Sequence, residues 1–356
     1  MRRIAWSDDG RTIYASAEAI GQGPLLTFDV ARGTERALVN QGTVSGFDVR
    51  GDIVAYVADS LTGPGQLYLR EGAGAPVALT TIGKDLFAAA PLAPAEQFEF
   101  AGWNGETVHG YVVKPQGFVT GRKYPVAFLI HGGPHGSFGN TWSYRWNPQL
   151  WASMGYAVVM IDFHGSSGYG EGFGRSILNH WGDRPLEDLQ KGWAAAQKKY
   201  AFLDGDRACA LGASYGGYMM NWIAGQWPDR FKCLVQHDGV FDARAMAYET
   251  EELWFDEWEH GGKAYYEDPA AFEKWNPVNY VANWKTPMLV ITGEKDFRIP
   301  YTQGLASFTA LQRKGIPSKL LVFPDENHWV LKPKNSIQWY DNVFSWMNRW
   351  MGPGAR

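Results

Sequence analysis

The stretch Ala208-Cys209-Ala210-Leu211-Gly212-Ala213-Ser214-Tyr215-Gly216, running on into Tyr218-Met219-Met220-Asn221-Trp222-Ile223, decides the fold. An apolar run, a turn of small residues and a helix-compatible segment follow one another, the context that a nucleophile elbow requires. Such a turn is too tight for side chains at its flanks, and glycine stands two positions to either side of Ser214. The hydroxyl is thereby pushed out at the end of a sheet, with a helix N-terminus behind it.

A serine hydroxyl is a weak nucleophile until a base takes its proton, and the base needs an acid to fix its tautomer. On α/β-hydrolase sheets the chain order is serine, acid, histidine. Downstream of Ser214 stand His237, His260 and His328. His237 ends the strand after the nucleophile's own and comes too early to follow the acid. His260 lies in a long variable insertion. His328 follows the last apolar run, in Phe323-Pro324-Asp325-Glu326-Asn327-His328-Trp329, and is the base that the order selects. The acid belongs just past the preceding strand, where Glu294 and Asp296 stand, with Asp325 as an outlying third candidate.

Upstream, His131-Gly132-Gly133-Pro134 follows the apolar run 126–130. A glycine-rich loop there can turn a backbone N–H toward a developing oxyanion, and Gly133 paired with the N–H of Tyr215 is the expected donor set. His131 and His135 are four apart, but the glycines and proline between them rule out the helix that a metal pair would need, and no metal is expected. The loop Gly165-Ser166-Ser167-Gly168-Tyr169-Gly170-Glu171-Gly172-Phe173-Gly174 contains neither nucleotide-binding glycine signature and reads as structural, beside the cleft.

Around these motifs the chain divides by pattern. Residues 1–85 alternate as β-strands, and the pattern at Ile4 to Tyr14 recurs at Val44 to Tyr56. That offset of about 40 residues is the period of a propeller blade. About two blades are present, whereas a closed propeller takes at least about four. Either the chain is the C-terminal part of a longer protein, or its two sheets pack on the catalytic domain or on a partner chain, a route to homo-oligomers. Residues 86–95, with Ala88-Ala89-Ala90-Pro91-Leu92-Ala93-Pro94, read as a linker, and 96–356 as a catalytic domain. There 97–101 and 107–113 flank the hairpin signal Asn104-Gly105. Apolar runs follow at 126–130, 157–161, 208–211, 233–235, 288–291 and 320–323, with helical segments such as 185–200 between most of them. The expected fold class is therefore α/β, an eight-stranded, mostly parallel α/β-hydrolase sheet preceded by a small all-β segment.

With 20% charged and 45% apolar residues and a net charge of −4, the chain of 356 residues has an ordinary globular balance. No basic stripe points to nucleic acid, and no apolar run approaches the roughly 20 residues of a membrane span. Met1-Arg2-Arg3 is not followed by an apolar stretch, so no signal peptide is read. The default compartment is cytoplasmic, or periplasmic or secreted if the chain is a fragment. The 2 cysteines, Cys209 and Cys233, are too few for a disulfide scaffold and read as small buried hydrophobes.

Taken together, Gly-Ala-Ser-Tyr-Gly-Gly-Tyr-Met around Ser214, His131-Gly-Gly-Pro, Gly165-Ser-Ser-Gly-Tyr-Gly, Asp296 before Phe-Arg-Ile-Pro and His328 before Trp resemble the prolyl oligopeptidase family over roughly residues 95 to 350. Gln236 to Asp242 and Trp254 to Trp258 look like its dipeptidyl-peptidase V and acylaminoacyl-peptidase branch. The resemblance favours Asp296 as the acid and implies a cofactor-independent serine peptidase that acts near peptide N-termini through an acyl-enzyme. An acylaminoacyl-peptidase or a carboxylesterase on the same triad is the alternative. The branch's closed propeller caps its active site, and only part of one is present here. The acidic, aromatic stretch with Glu251, Glu252, Trp254 and Phe255 is expected above the sheet edge, where a carboxylate would hold a peptide's free amine.

Overall fold

The computed structural model describes residues 3–352 and 354. Among them, strands β1 (Arg3–Trp6), β2 (Thr12–Ser16), β3 (Leu25–Asp29) and β4 (Thr34–Val39) form one antiparallel meander, and β5 (Thr43–Arg50), β6 (Ile53–Ser60), β7 (Gly63–Glu71) and β8 (Val77–Ala78) form a second. Each sheet is blade-like, and the recurring sequence pattern marks the opening hairpin of each. Leu25, Val44, Phe47, Val54 and Tyr56 share one small core between them, with Tyr56 stacked on Tyr68 at 5.3 Å.

The large sheet comprises β9 (Ala95–Ala101), β10 (Thr107–Val113), β11 (Tyr124–Ile130), β12 (Ala157–Asp162), β13 (Leu203–Ala213), β14 (Cys233–His237), β15 (Met288–Gly293) and β16 (Ser318–Phe323). Its spatial order is β16-β15-β14-β13-β11-β12-β10-β9. The β9–β10 and β10–β12 pairs are antiparallel and the others parallel. The β9–β10 turn holds Asn104 at φ 55° and Gly105 at φ 74°, the left-handed geometry that the Asn-Gly pair supplies most cheaply. Helices cover both faces, which is why the central strands are continuous apolar runs. Side chains alternate across the pleat: Val126, Phe128 and Ile130 enter one core with Trp193 and Met219, whereas Ala127 and Leu129 enter the other with Trp151 and Trp346.

One expectation needs correction. Cys209 and Cys233 are buried, but they are joined in a disulfide with their Cα atoms 4.7 Å apart. The parallel register of β13 and β14 sets the two directly opposite each other, a pairing that spacing along the chain does not reveal.

Between the second small sheet and the large sheet, helix Lys84–Ala89 leads to Ala93, whose N–H donates to Gln149 Oε1 at 2.8 Å. Gln149 Nε2 donates to the carbonyls of Ala93 and Leu61, both at 2.9 Å. Asn140 accepts from the Thr43 hydroxyl and the Leu61 N–H, each at 3.0 Å. No helix among the described residues is long and apolar enough to cross a membrane.

Near the far edge of the sheet, Asp188 receives the N–H groups of Trp103 at 2.6 Å and His164 at 2.7 Å, together with His164 Nδ1 at 2.6 Å. Burial alone would discourage charge on the His164 ring, yet the bond and attraction to Asp188, with Glu106 behind, hold it above its ordinary value. A histidine raised on folding contributes stability that is complete below its unfolded value of about 6.5 and is lost as pH rises through its folded value. The Tm followed by circular dichroism should therefore fall as pH is raised from about 6.5. Asp188→Asn should cost about 3–5 kcal/mol, because it unpairs a buried charge, and should flatten this slope. A variant that kept the wild-type slope would exclude His164 as its source.

Candidate active site

Strand order reverses at β11, which pairs with β12 on one side and β13 on the other, and clefts form at such switch points beyond the C-terminal ends of strands. Ser214 stands at this point, between β13 and the helix Tyr215–Gln226, with φ 60° and ψ −123°. A non-glycine residue there is strained by about 1–3 kcal/mol and must be held in place. The Ser214 N–H donates to the His237 carbonyl at 3.0 Å, and its own carbonyl accepts from Tyr218 N–H at 2.9 Å. The flanking glycines are required by contact: a Cβ on Gly212 would lie 2.3 Å from the Gly216 carbonyl oxygen, and one on Gly216 would lie 2.2 Å from that of Ile130.

His328 Nδ1 lies 2.7 Å from Asp296 Oδ2. Asp296 is only 1% exposed, and its other oxygen accepts from the N–H groups of Arg298 and Ile299, both at 2.9 Å. Those two donors fix the plane of the carboxylate. A proton on Nδ1 facing Asp296 leaves Nε2 of His328 as an acceptor. Ser214 and His328 line the same cavity, of about 620 Å³. Of the other candidate acids, Glu294 is exposed, and Asp325 is exposed and lowered by its bonds to Lys332 and Asn335. Of the three, Asp296 is the one in contact with His328 among the described residues.

Two acidic residues beside this pair went unread in the sequence. Glu326, 4% exposed, accepts from Leu331 N–H, Lys332 N–H and Asn335 Nδ2 at 3.2, 3.0 and 2.7 Å, and so shapes the loop that carries His328. Asp238, at φ 44°, directly follows β14; its carboxylate, that of Asp296 and the His328 ring offer polar atoms all within 4.8 Å of one another. Its Oδ1 accepts from Gly293 N–H at 3.2 Å. Its Oδ2 is 2.8 Å from His237 Nε2, a close contact whose angle misses hydrogen-bond geometry. Burial pushes Asp238 up, His237 pulls against it, and the Asp296 carboxylate adds to the rise. The only signal in the sequence was its place at a strand C-terminus beside the nucleophile's strand.

The expected oxyanion donors Gly133 and Tyr215 both line the cavity. The Tyr215 N–H is at the first turn of its helix, where backbone N–H groups have no partner within the helix. Gly133 has φ 126°, and the neighbouring Gly132 is so close to Ser214 that a Cβ there would lie 3.0 Å from Ser214 Cβ. His131 anchors this loop: its ring stacks on Phe163 at 4.2 Å, with Nε2 2.8 Å from Ser166 Oγ and Nδ1 2.8 Å from the Gly132 carbonyl. Burial lowers His131 toward the neutral form. His135 instead faces the Glu259 carboxylate at 2.5 Å and the Gly165 carbonyl at 3.2 Å. The two histidines thus have separate structural partners, and the Gly165–Gly174 loop buttresses the oxyanion loop.

Of the acidic, aromatic insertion, Glu252 and Phe255 line the cavity, while Glu251 and the 70% exposed Trp254 lie outside its lining. Glu252 Oε1 is 2.9 Å from Arg298 Nε, and Glu251 is 3.7 Å from the same guanidinium. Arg298 in turn lies over the Trp329 ring at 5.0 Å.

Against this geometry stand the similarities to known proteins. The chain is 48% identical over 253 residues to dipeptidyl-peptidase 5 of Schizosaccharomyces pombe, covering 71% of this chain and 37% of that protein. It is 40% identical over 367 residues to dipeptidyl-peptidase 5 of Arthroderma otae, covering 98% of this chain and 49% of that one. It spans about half the length, or less, of these curated relatives. Among solved structures, an acylaminoacyl peptidase of Pyrococcus horikoshii superposes with a TM-score of 0.88 at 26% identity, over 99% of this chain and 56% of that one. A sequence profile of the prolyl oligopeptidase family matches residues 142–354, and with more than half of its length so matched this chain belongs to that family.

Proposed function

We propose that this chain carries the catalytic machinery of a serine peptidase that removes dipeptides from peptide N-termini through an acyl-enzyme on Ser214. The observation that carries the reading is the His328–Asp296 pair at 2.7 Å, opening onto the same cavity as a serine held at φ 60° on an elbow. The likeness to dipeptidyl-peptidase 5 supports the substrate class.

In this reading His328 Nε2 takes the Ser214 proton as Oγ bonds to the scissile carbonyl carbon. The negative charge passes to the carbonyl oxygen, which the N–H groups of Gly133 and Tyr215 receive. Collapse breaks the C–N bond, and the imidazolium returns its proton to the leaving amine. Water, deprotonated by His328, then attacks the ester, and Ser214 leaves with its proton restored. Asp296 holds the ring tautomer and stabilises the imidazolium throughout. The structural likeness to acylaminoacyl peptidase supports a second reading, release of acylated amino acids by the same steps.

Ser214→Ala should lower kcat on a dipeptidyl p-nitroanilide by about 10⁴–10⁶, with Tm retained, and should abolish labelling by a fluorophosphonate. Activity retained in a preparation free of wild-type enzyme would remove Ser214 from the chemistry. Asp296→Asn should lower kcat by about 10⁴, since the amide favours the wrong histidine tautomer, whereas Glu294→Gln and Asp325→Asn should stay within about twofold. A comparable loss in either of those two variants would reassign the acid. Because His328 must be neutral to accept the proton, kcat/KM should fall on acidification, and a flat acid side would count against a histidine base.

A further inference from the structure

Two arginines among the described residues line the active-site cavity, and they differ in what surrounds them. Arg298 faces Glu252 at 2.9 Å and Glu251 at 3.7 Å. Arg145 faces no carboxylate within ion-pair distance among the described residues. Its guanidinium carbon lies over the Trp329 ring, 5.6 Å from the centre. Trp329 follows His328 and lines the cavity with it, the two rings 5.8 Å apart. Partial burial holds Arg145 below the ordinary arginine value, with the Tyr340 phenol acting the other way. The group stays charged at neutral pH, but it has given up part of its water and has received no anion in return. The wall that carries it is fixed. Arg145 N–H donates to Ser143 Oγ at 3.2 Å, and Trp146 packs on Trp339 at 4.9 Å and on Trp151 at 5.7 Å. Asn147, 6% exposed, caps helix Pro148–Ser153 through Gln149 N–H at 3.0 Å. A ligand meeting Arg145 therefore has little backbone to order.

We propose that Arg145 forms a carboxylate-binding subsite on the leaving-group side of the scissile bond. It favours substrates whose departing part carries an acidic group close to the cut, either the terminal carboxylate of a tripeptide or an Asp or Glu side chain. The proposal deepens the peptidase reading above and rests on it. The side follows from the chemistry: His328 returns its proton to the departing amine, so the departing part lies against that ring, and Trp329 and Arg145 stand next to it. A guanidinium presents paired N–H donors whose spacing matches the two oxygens of a carboxylate. Arg298 is less apt for the same anion, because Glu252 and Glu251 already offset its charge and would repel a third carboxylate.

Calorimetry on the Ser214→Ala protein tests the subsite and separates the two sources of the anion. Ala-Phe-Ala should bind roughly tenfold more tightly than Ala-Phe-Ala-NH2 if the terminal carboxylate is the ligand. Ala-Phe-Glu-NH2 should exceed Ala-Phe-Gln-NH2 by a similar factor if a side chain is. Adding Arg145→Gln should erase whichever preference is seen. Arg145→Met, which keeps the stem over Trp329 without the charge, should do the same if the first variant does not fold. A preference in neither pair, or one that survives the loss of the charge, overturns the proposal. So does an Arg145-dependent preference for Glu-Phe-Ala-NH2 over Gln-Phe-Ala-NH2, which would put the anion on the acyl side of the cut. Turnover of Ala-Phe p-nitroanilide by the wild-type protein tests the peptidase reading by itself, since that leaving group carries no carboxylate. No turnover with an Arg145-dependent preference intact would reject that reading and keep the carboxylate site. Turnover with no such preference would do the reverse.

Discussion

The approach of Gly216 to the Ile130 carbonyl is the constraint on which the site depends. With room for no Cβ there, the helix behind Ser214 packs directly on the end of β11. That contact sets Ser214 against the loop 131–134, which follows β11. Gly212 does the same within the turn, against Gly216 itself. Strand, elbow and oxyanion loop are thus one packing unit, and the strained backbone of Ser214 is held by ladder and helix hydrogen bonds on either side.

Buried acids organise the surrounding loops. Asp162, 1% exposed, accepts from Ser137 Oγ, Phe138 N–H and the Tyr169 hydroxyl, tying the segment after the oxyanion loop to the glycine-rich loop beyond β12. Glu326 does the same work for the His328 loop, and Glu259 joins His135 to Trp181. Each removes a carboxylate from water and repays the desolvation with several donors, the condition under which buried charge is tolerated. Asp238 and Asp256 depart from that pattern, each with one buried oxygen that has no hydrogen-bond partner among the described residues.

The two small sheets are integral to the catalytic domain's surroundings. Asn140 and Gln149 both bond to backbone in or next to the second sheet, and Thr141 Oγ1 donates to Asp59 at 2.8 Å. Thr141 and Trp142 also line the active-site cavity. The position of the blades is therefore felt at the cleft wall through short polar contacts.

The elbow and the Asn-Gly hairpin were legible in the sequence, because each is dictated locally by a turn too tight for side chains or a left-handed dipeptide. The eight-stranded sheet was legible for a similar reason: strands buried on both faces must be continuously apolar. What tertiary structure alone decided are the pairings between distant segments. Register placed Cys209 opposite Cys233. Packing set Asp296, rather than Glu294 or Asp325, against His328 and placed Glu252 beside Arg298. A carboxylate's surroundings follow from which donors reach it once it is buried, and these come from its own loop at Asp296 and Glu326 but from segments tens of positions away at Asp188.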